Sequence, residues 1–293
     1  MKKILILFLA LLVSTAANAN ELENTLNKAY EKGSKVAEGY ISNLLSGPGD
    51  TEVSLGTKRN NKPTGSIMIV RPMSVEENSV LFYQAQLNSY DVLGDDRQSI
   101  NYGIGKRFLS DNKSNFVGIN TFVDLDREYN SRVGFGSEFK ASAFDVNGNY
   151  YLAVLGGRSV GSNTERALDG YDFNISGQAP FAPWANINYN NYSWKADKAQ
   201  KDSEGDIYSA IVNLSNDLTL EVGRNDNNIT SYSNFAKFIY VHGSIKRPNT
   251  SDGFSSEAFQ DSDVSKEMLT KVKRSNIITL EVESSGVVLI NGN

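Results

Sequence analysis

The sequence predicts an all-β fold: a twelve-stranded antiparallel barrel that crosses a membrane, with a short N-terminal helix and a C-terminal tail. Three observations predict it. Between residues 49 and 245 the chain repeats, about a dozen times, a run of roughly ten residues alternating apolar with polar, the pattern and length of an outer-membrane strand. An apolar leader precedes these runs, and the 293 residues include no cysteine.

The leader spans 1–19: Lys2 and Lys3, an apolar run over 4–13, then Ala17-Asn18-Ala19 as a small-x-small cleavage site. It reads as a secretion signal. No later stretch approaches the 18 consecutive apolar residues of a transmembrane helix. Residues 20–48 form the helical segment, with Leu22, Leu26, Ala29, Tyr30, Val36, Ala37, Tyr40, Ile41, Leu44 and Leu45 at three-four spacing over 21–46 and Gly47-Pro48-Gly49 ending it.

Strands are expected at 50–57, 64–72, 79–89, 98–109, 115–124, 131–140, 144–155, 168–177, 184–195, 206–214, 217–224 and 233–245. Their alternation has period two, a strand signal rather than a helical one. One face carries Val117, Ile119, Val133, Phe135, Phe139, Tyr171, Phe173, Leu218 and Leu220, the set expected to meet lipid. The other carries Asn120, Asp124, Glu138, Lys140, Asp145, Asn147, Asp172 and Asn174, the set expected to line a pore that must be polar if it is wet. Over 117–124, Phe122 is the one large apolar residue on the polar side. A soluble β-sandwich also alternates, but its strands average about five or six residues, whereas these runs match a tilted membrane strand.

The connections 58–63, 90–97, 125–130, 156–167, 196–205 and 225–232 are longer on average than those at 73–78, 110–114, 141–143, 178–183 and 215–216. Bacterial barrels have short periplasmic turns and longer outer loops, so both ends of the sheet are expected on the periplasmic side. Asn147-Gly148 is a strong hairpin signature. Placing a turn there would break the alternation from Asp145 to Leu152, so the turn is assigned to 141–143.

The net charge of −5 becomes −7 without the two leader lysines, and no basic footprint for nucleic acid remains. The absence of cysteine rules out disulfides, Fe–S clusters and thiol chemistry. Fourteen Tyr and fourteen Phe would supply interfacial girdles, or are simply the aromatic residues that any sheet favours.

No catalytic, cofactor or metal site is expected. Gly103-Ile104-Gly105 lacks the third glycine and the helix of a phosphate loop, and small residues packing inside a strand is the better reading. His242 is the only histidine and falls at the periplasmic end of the last strand, so a hydrolase built on it is rejected. Asp124 with Asp126, and Asp95 with Asp96, lack the spacing of a calcium loop. The tail 246–293 is too patterned for disorder: Arg247-Pro248 ends the sheet, 257–273 has the spacing of a short helix, and 277–282 and 287–290 read as extended apolar pieces.

Several blocks resemble one family. Gly118-Ile119-Asn120-Thr121-Phe122-Val123-Asp124 and Arg132-Val133-Gly134-Phe135-Gly136-Ser137-Glu138-Phe139 are similar to the translocator domain of inverse autotransporters, the intimin/invasin family. Tyr102-Gly103-Ile104-Gly105-Lys106-Arg107-Phe108, Glu165-Arg166, Gly170-Tyr171-Asp172, Asn190-Asn191-Tyr192 and the tail segment Arg274-Ser275-Asn276-Ile277-Ile278-Thr279-Leu280-Glu281 extend the resemblance over nearly all of the mature chain. It implies a twelve-stranded barrel in the outer membrane, with the chain beyond the last strand returning through the pore to export adhesin domains. The sequence stops about where a first such passenger would start, and no peptidoglycan-binding module precedes the barrel, so adhesion is not carried over. The expected partners are outer-membrane lipid and the barrel-assembly machinery, with a separate passenger or surface ligand unidentified. A small passive pore with an unplugged lumen is the alternative.

Overall fold

Runs that alternate at period two leave their backbone groups unpaired unless neighbouring runs lie side by side, and in lipid every such group needs a partner, so the sheet must close. The computed structural model describes residues 47–58, 63–243, 245–284 and 287–291. The expected leader and the helix over 21–46 lie outside the described residues.

Seven antiparallel strands come first: β1 (Thr51–Lys58), β2 (Thr64–Glu76), β3 (Ser79–Val92), β4 (Asp95–Leu109), β5 (Asn115–Asp126), β6 (Ser131–Ala141) and β7 (Phe144–Ala153). A small hairpin, β8 (Arg158–Val160) and β9 (Asn163–Ala167), interrupts the series. It resumes with β10 (Gly170–Ala179), β11 (Ala182–Trp194), β12 (Ser203–Asn213), β13 (Leu218–Asn227) and β14 (Ser231–His242). β1 pairs with β14 in the register Thr51↔His242 to Lys58↔Phe235, which closes a twelve-stranded barrel. The tail adds β15 (Leu280–Ser284) and β16 (Val287–Asn291), which join β9 and β8 in a separate four-stranded sheet.

β6 ends at Ala141 and β7 starts at Phe144, with Asn147-Gly148 inside β7 in register with β6 and β10. The cross-strand pairing on both sides overrides the local hairpin preference.

Three expectations about the connections and the tail need correction. The loop expected over 90–97 is a two-residue turn at Leu93-Gly94, where φ is +51° and +97°. Positive φ at both central residues gives the turn the twist of its flanking strands, and the acidic residues around it are strand ends that resemble loop. The connection expected over 156–167 contains β8 and β9. The helix expected over 257–273 does not form: the described residues hold no α-helix, only 3-10 turns at Thr250–Asp252 and Val264–Glu267. The physical reason is competition for the backbone. The Met268 carbonyl accepts from Arg107 and Val272 N donates to Gln84, so both ends of one helical bond are taken by the wall, which also bonds the Thr270 and Lys273 carbonyls.

Along β5 every second residue is buried, from Phe116 to Asp126, while the residues between them are exposed or half-exposed. Exposed apolar side chains and buried polar ones invert the usual distribution of a water-soluble protein. Phe122 is buried among the polar positions because Gly103 makes room for it: a Cβ on Gly103 would stand 2.3 Å from the Phe122 ring. Gly105 does the same for Phe82, at 2.5 Å.

Candidate functional site

The chemistry-bearing residues converge on the buried face of the barrel, where they meet the tail. One end of the barrel holds Thr51, His242 and the turns 77–78, 110–114, 142–143, 180–181 and 214–217; it is called the near end below. The tail first runs along these turns in barrel order. Arg247 N donates to Asn216 Oδ1 and Asn213 Nδ2 to the Pro248 carbonyl. Phe181 N then donates to the Ala258 carbonyl, Ser142 Oγ to that of Ser262, and Val264 N to that of Lys113.

From Val264 the tail leaves the turns. Val264, Met268 and Val272 pack with Val70, Val80, Phe82, Leu109, Phe116 and Phe122 in one apolar cluster. Around that cluster the contacts are ionic. Lys271 Nζ lies 2.7 Å from Glu52, Lys273 Nζ 2.7 Å from Asp145, and Lys140 Nζ 2.9 Å from Glu267. Arg107 pairs with Glu138 at 2.7 Å and donates to the carbonyls of Met268 and Thr270, while Gln84 Oε1 accepts from Val272 N.

The next layer is denser. Asp124 receives Arg132 and the tail's Arg274, each at 2.6 Å, with Asp124 and Arg132 fully buried. Arg274 stacks 4.2 Å from the Phe122 ring centroid and Arg132 4.3 Å from that of Tyr151, so both guanidinium planes lie on aromatic faces. Arg132 also donates to the Ser275 carbonyl, Asn101 to that of Asn276, and Ser275 N to Tyr151 Oη and Asp172. The Asp124 carboxylate pairs with both guanidinium groups, which offsets part of a desolvation cost of several kcal/mol per ion, and Asp172 in the same layer supplies a second negative charge for the excess positive one.

At the far end β15 adds to β9, with Leu280 opposite Ala167. Ile278, Leu280 and Val282 pack with Tyr90, Val92 and Ala167. Arg97 ties the base of the β8–β9 hairpin, contacting Glu165 and Asp126 at 2.8 Å each. Glu281, fully buried, accepts the backbone N–H groups of Asp197, Lys198 and Ala199. The Lys198 ammonium donates to Glu283 and, with its charge and that of Arg166, holds the Glu283 carboxyl below its ordinary value. Near the tail's turn at Val264–Glu267, hydrogen bonds from Ser265 likewise lower the Asp263 carboxyl.

Of the polar residues singled out from sequence, Asn120, Asp124, Glu138, Asp145, Asn147, Asp172 and Asn174 are buried and Lys140 is half-buried. Asp124, Glu138, Asp145 and Asp172 sit within the ion-pair and hydrogen-bond layers just described. Of the apolar set, Val117, Ile119, Phe135, Tyr171 and Phe173 are exposed, and Val133, Phe139, Leu218 and Leu220 are half-exposed. Sequence reasoning missed the partners Arg97, Arg107, Arg132, Tyr151 and Gln84. Arg107 and Arg132 carried a signal: each is a charge at a position whose parity places it with the polar face.

Among the described residues no cluster of His, Cys, Asp and Glu could hold a metal ion. No curated protein matches the chain. A solved structure described as "Unveiling the Mechanism Behind the in-meso Crystallization of Membrane Proteins" is similar with a TM-score of 0.63 and 20% identity, over 80% of this chain and 99% of that one. The COG4313 outer membrane channel from Pseudomonas putida F1 has a TM-score of 0.50 and 8% identity, over 66% of this chain and 96% of that one. The NanC porin follows at 0.48 and 9%, over 67% of this chain and all of its own. At such identities the likeness extends to the fold alone. The sequence itself matches the family described as "Inverse autotransporter, beta-domain" over residues 10–236. That family is not an enzyme class, and it implies the outer membrane of a Gram-negative bacterium. With most of its length matched and a closed barrel of twelve strands, the chain belongs to the inverse autotransporter β-domain family.

Proposed function

We propose that this chain is a non-enzymatic translocator in which the tail crosses the lumen over residues 264–280 and so leads the polypeptide from the periplasmic end to the cell surface. The supporting observation is the succession of tail partners: Lys113 at a near-end turn, then Arg107, Gln84 and Asn149, then Asp124 and Arg132, then β9 at the far end. Residues 264–280 suffice for this path, since an extended residue spans up to about 3.3–3.6 Å and the hydrocarbon core is about 30 Å thick.

In this reading the exposed apolar residues of the barrel wall face lipid and the buried polar ones face the lumen. The tail then neutralises them: Lys271, Lys273 and Arg274 each meet an acidic wall residue. The near end is periplasmic, because the expected secretion signal delivers the N-terminus there. Outer-membrane lipid and the barrel-assembly machinery are the partners such a barrel requires. Adhesion is not assigned, and any cargo would be joined to, or encoded apart from, these residues.

An epitope appended after Asn293 tests the reading. It should be labelled on intact cells. Labelling only after the outer membrane is permeabilised would refute a tail that crosses the lumen.

A further inference from the structure

The tail does not fill the barrel evenly. Its bonds crowd onto β3–β7 and β10, where Phe82, Gln84, Arg107, Phe122, Asp124, Arg132 and Tyr151 are sealed from solvent. Two cavities remain, reaching along β11–β14 and β1, and the near-end one extends across to β5–β7 and β10. The one at the near end has a volume of about 640 Å³ and is bordered by Glu52, Ile211, Thr219, Glu221 and Lys271. The second, of about 330 Å³, lies further along, bordered by Ser54, Asn188, Glu221, Lys237 and Asn276. Glu221 borders both.

Polar and charged side chains border both cavities, beside apolar ones such as Ile207 and Phe235 in the second. Asn147 Oδ1 on the first and Gln86 Oε1 on the second are buried with no protein hydrogen-bond partner among the described residues. Buried polar atoms of this kind are met by water, and both spaces are far larger than a single water needs. At the shared border the Glu221 carboxylate accepts from Ser209 Oγ and stands opposite Lys237 in the β13–β14 register, while Glu52 across the seam is paired with Lys271. Fixed charges of both signs there replace part of an ion's hydration, which an apolar neck would not do. Carboxylates outnumber cationic side chains around the near-end cavity by eight to six and around the second by three to two.

We propose that this side corridor is an ion path through the plugged barrel, with Glu221 at its neck and a modest preference for small inorganic cations. It rests on the tail's occupying the lumen, and it adds a conductance that a plug alone would abolish.

Full-length protein in planar bilayers under a KCl gradient tests it, with potassium and chloride as the probes. Small steady currents with a reversal potential on the cation side are expected, and Glu221→Lys should shift that potential toward the anion side. The chain has no cysteine, so single ones report access. Asn188→Cys, on the second cavity, should react with a small charged thiol reagent and lose current, whereas Gln84→Cys, fully buried beneath Val272, should not react. Inserted barrels that stay silent would overturn the corridor and leave the plug standing. Currents unchanged by Glu221→Lys and by Asn188→Cys modification would overturn it too. Equal reaction at Gln84→Cys and Asn188→Cys would instead remove the tail from the lumen, and with it the reading on which the corridor rests.

Discussion

Asp124 on β5 holds Arg274 of the tail through both carboxylate oxygens, at 2.9 and 2.6 Å, while its second oxygen also receives Arg132 of β6. One wall carboxylate thus serves two cations, only one of which belongs to the wall. That asymmetry orders the consequences of substitution. Asp124→Asn leaves two buried guanidinium groups without a counter-ion, and breaking a buried pair by removing one partner costs about 3–5 kcal/mol. Arg274→Met leaves Asp124 still paired with Arg132 and should cost less. The midpoint of the heat-induced shift in gel migration should therefore fall further for Asp124→Asn than for Arg274→Met. The reverse order would show that Arg132 does not share the carboxylate.

The outer surface makes a different demand. Phe135 is exposed at mid-strand in β6, and an Arg at the bilayer midplane costs about 2–4 kcal/mol. Phe135→Arg should reduce the fraction of barrel that assembles. Lys140→Gln removes a partly buried contact with Glu267 and another with Asp145, but Asp145 keeps Lys273 and the Gln amide can still donate to Glu267. Folded yield should be nearly unchanged by it. Equal losses at the two positions would reverse the assignment of faces.

Close packing between strands gives a third outcome. Gly103→Ala puts a methyl group 2.3 Å from the Phe122 ring, and Phe122 in turn stacks on Arg274. Overpacking of this sort costs about 1–3 kcal/mol. The double variant Gly103→Ala, Phe122→Leu should recover part of the lost thermal stability. Failure to recover any would mean that the clash is not with Phe122.

The barrel was legible in the sequence because its code has period two and is local: β5, β7 and β10 can be read from their own alternation. The contacts between tail and wall were legible only as a patterned tail. Its carboxylate partners, Asp124 and Asp145, were singled out as polar-face residues, but their cations Arg274 and Lys273 lie 150 and 128 residues away and follow no periodicity. The short helix assigned to 257–273 fails for the same reason, since wall side chains take the carbonyls a helix would use. The β8–β9 hairpin escaped notice because β8 has three residues and β9 five, too short to establish a period. Phe122 broke the alternation, and its explanation stood on the next strand, at Gly103.

Glu283 gives the far end a pH dependence whose sign follows from its neighbours. It lies on β15 and receives the Lys198 ammonium at 2.8 Å, with Arg166 of β9 at 3.7 Å. The hydrogen bond and charge of Lys198 come first, and they lower the Glu283 carboxyl from its ordinary 4.5. A carboxyl whose folded value is depressed stabilises the structure fully above its unfolded value and loses that contribution as pH falls through the lower, folded one. Arg166 keeps Asp197 at 3.2 Å, so protonation of Glu283 releases Lys198 in particular. Both groups are partly exposed, which keeps the effect small and sensitive to salt. Hydrogen exchange at 280–284 and 197–199 should therefore speed up below the ordinary glutamate range relative to a Glu283→Gln variant measured at the same pH, while β5 and β6 exchange alike in both proteins. Comparing at one pH removes the intrinsic pH dependence of exchange. Identical profiles for the two proteins, or stronger protection of the native chain in acid, would show that Glu283 does not hold the loop 195–202 against the tail.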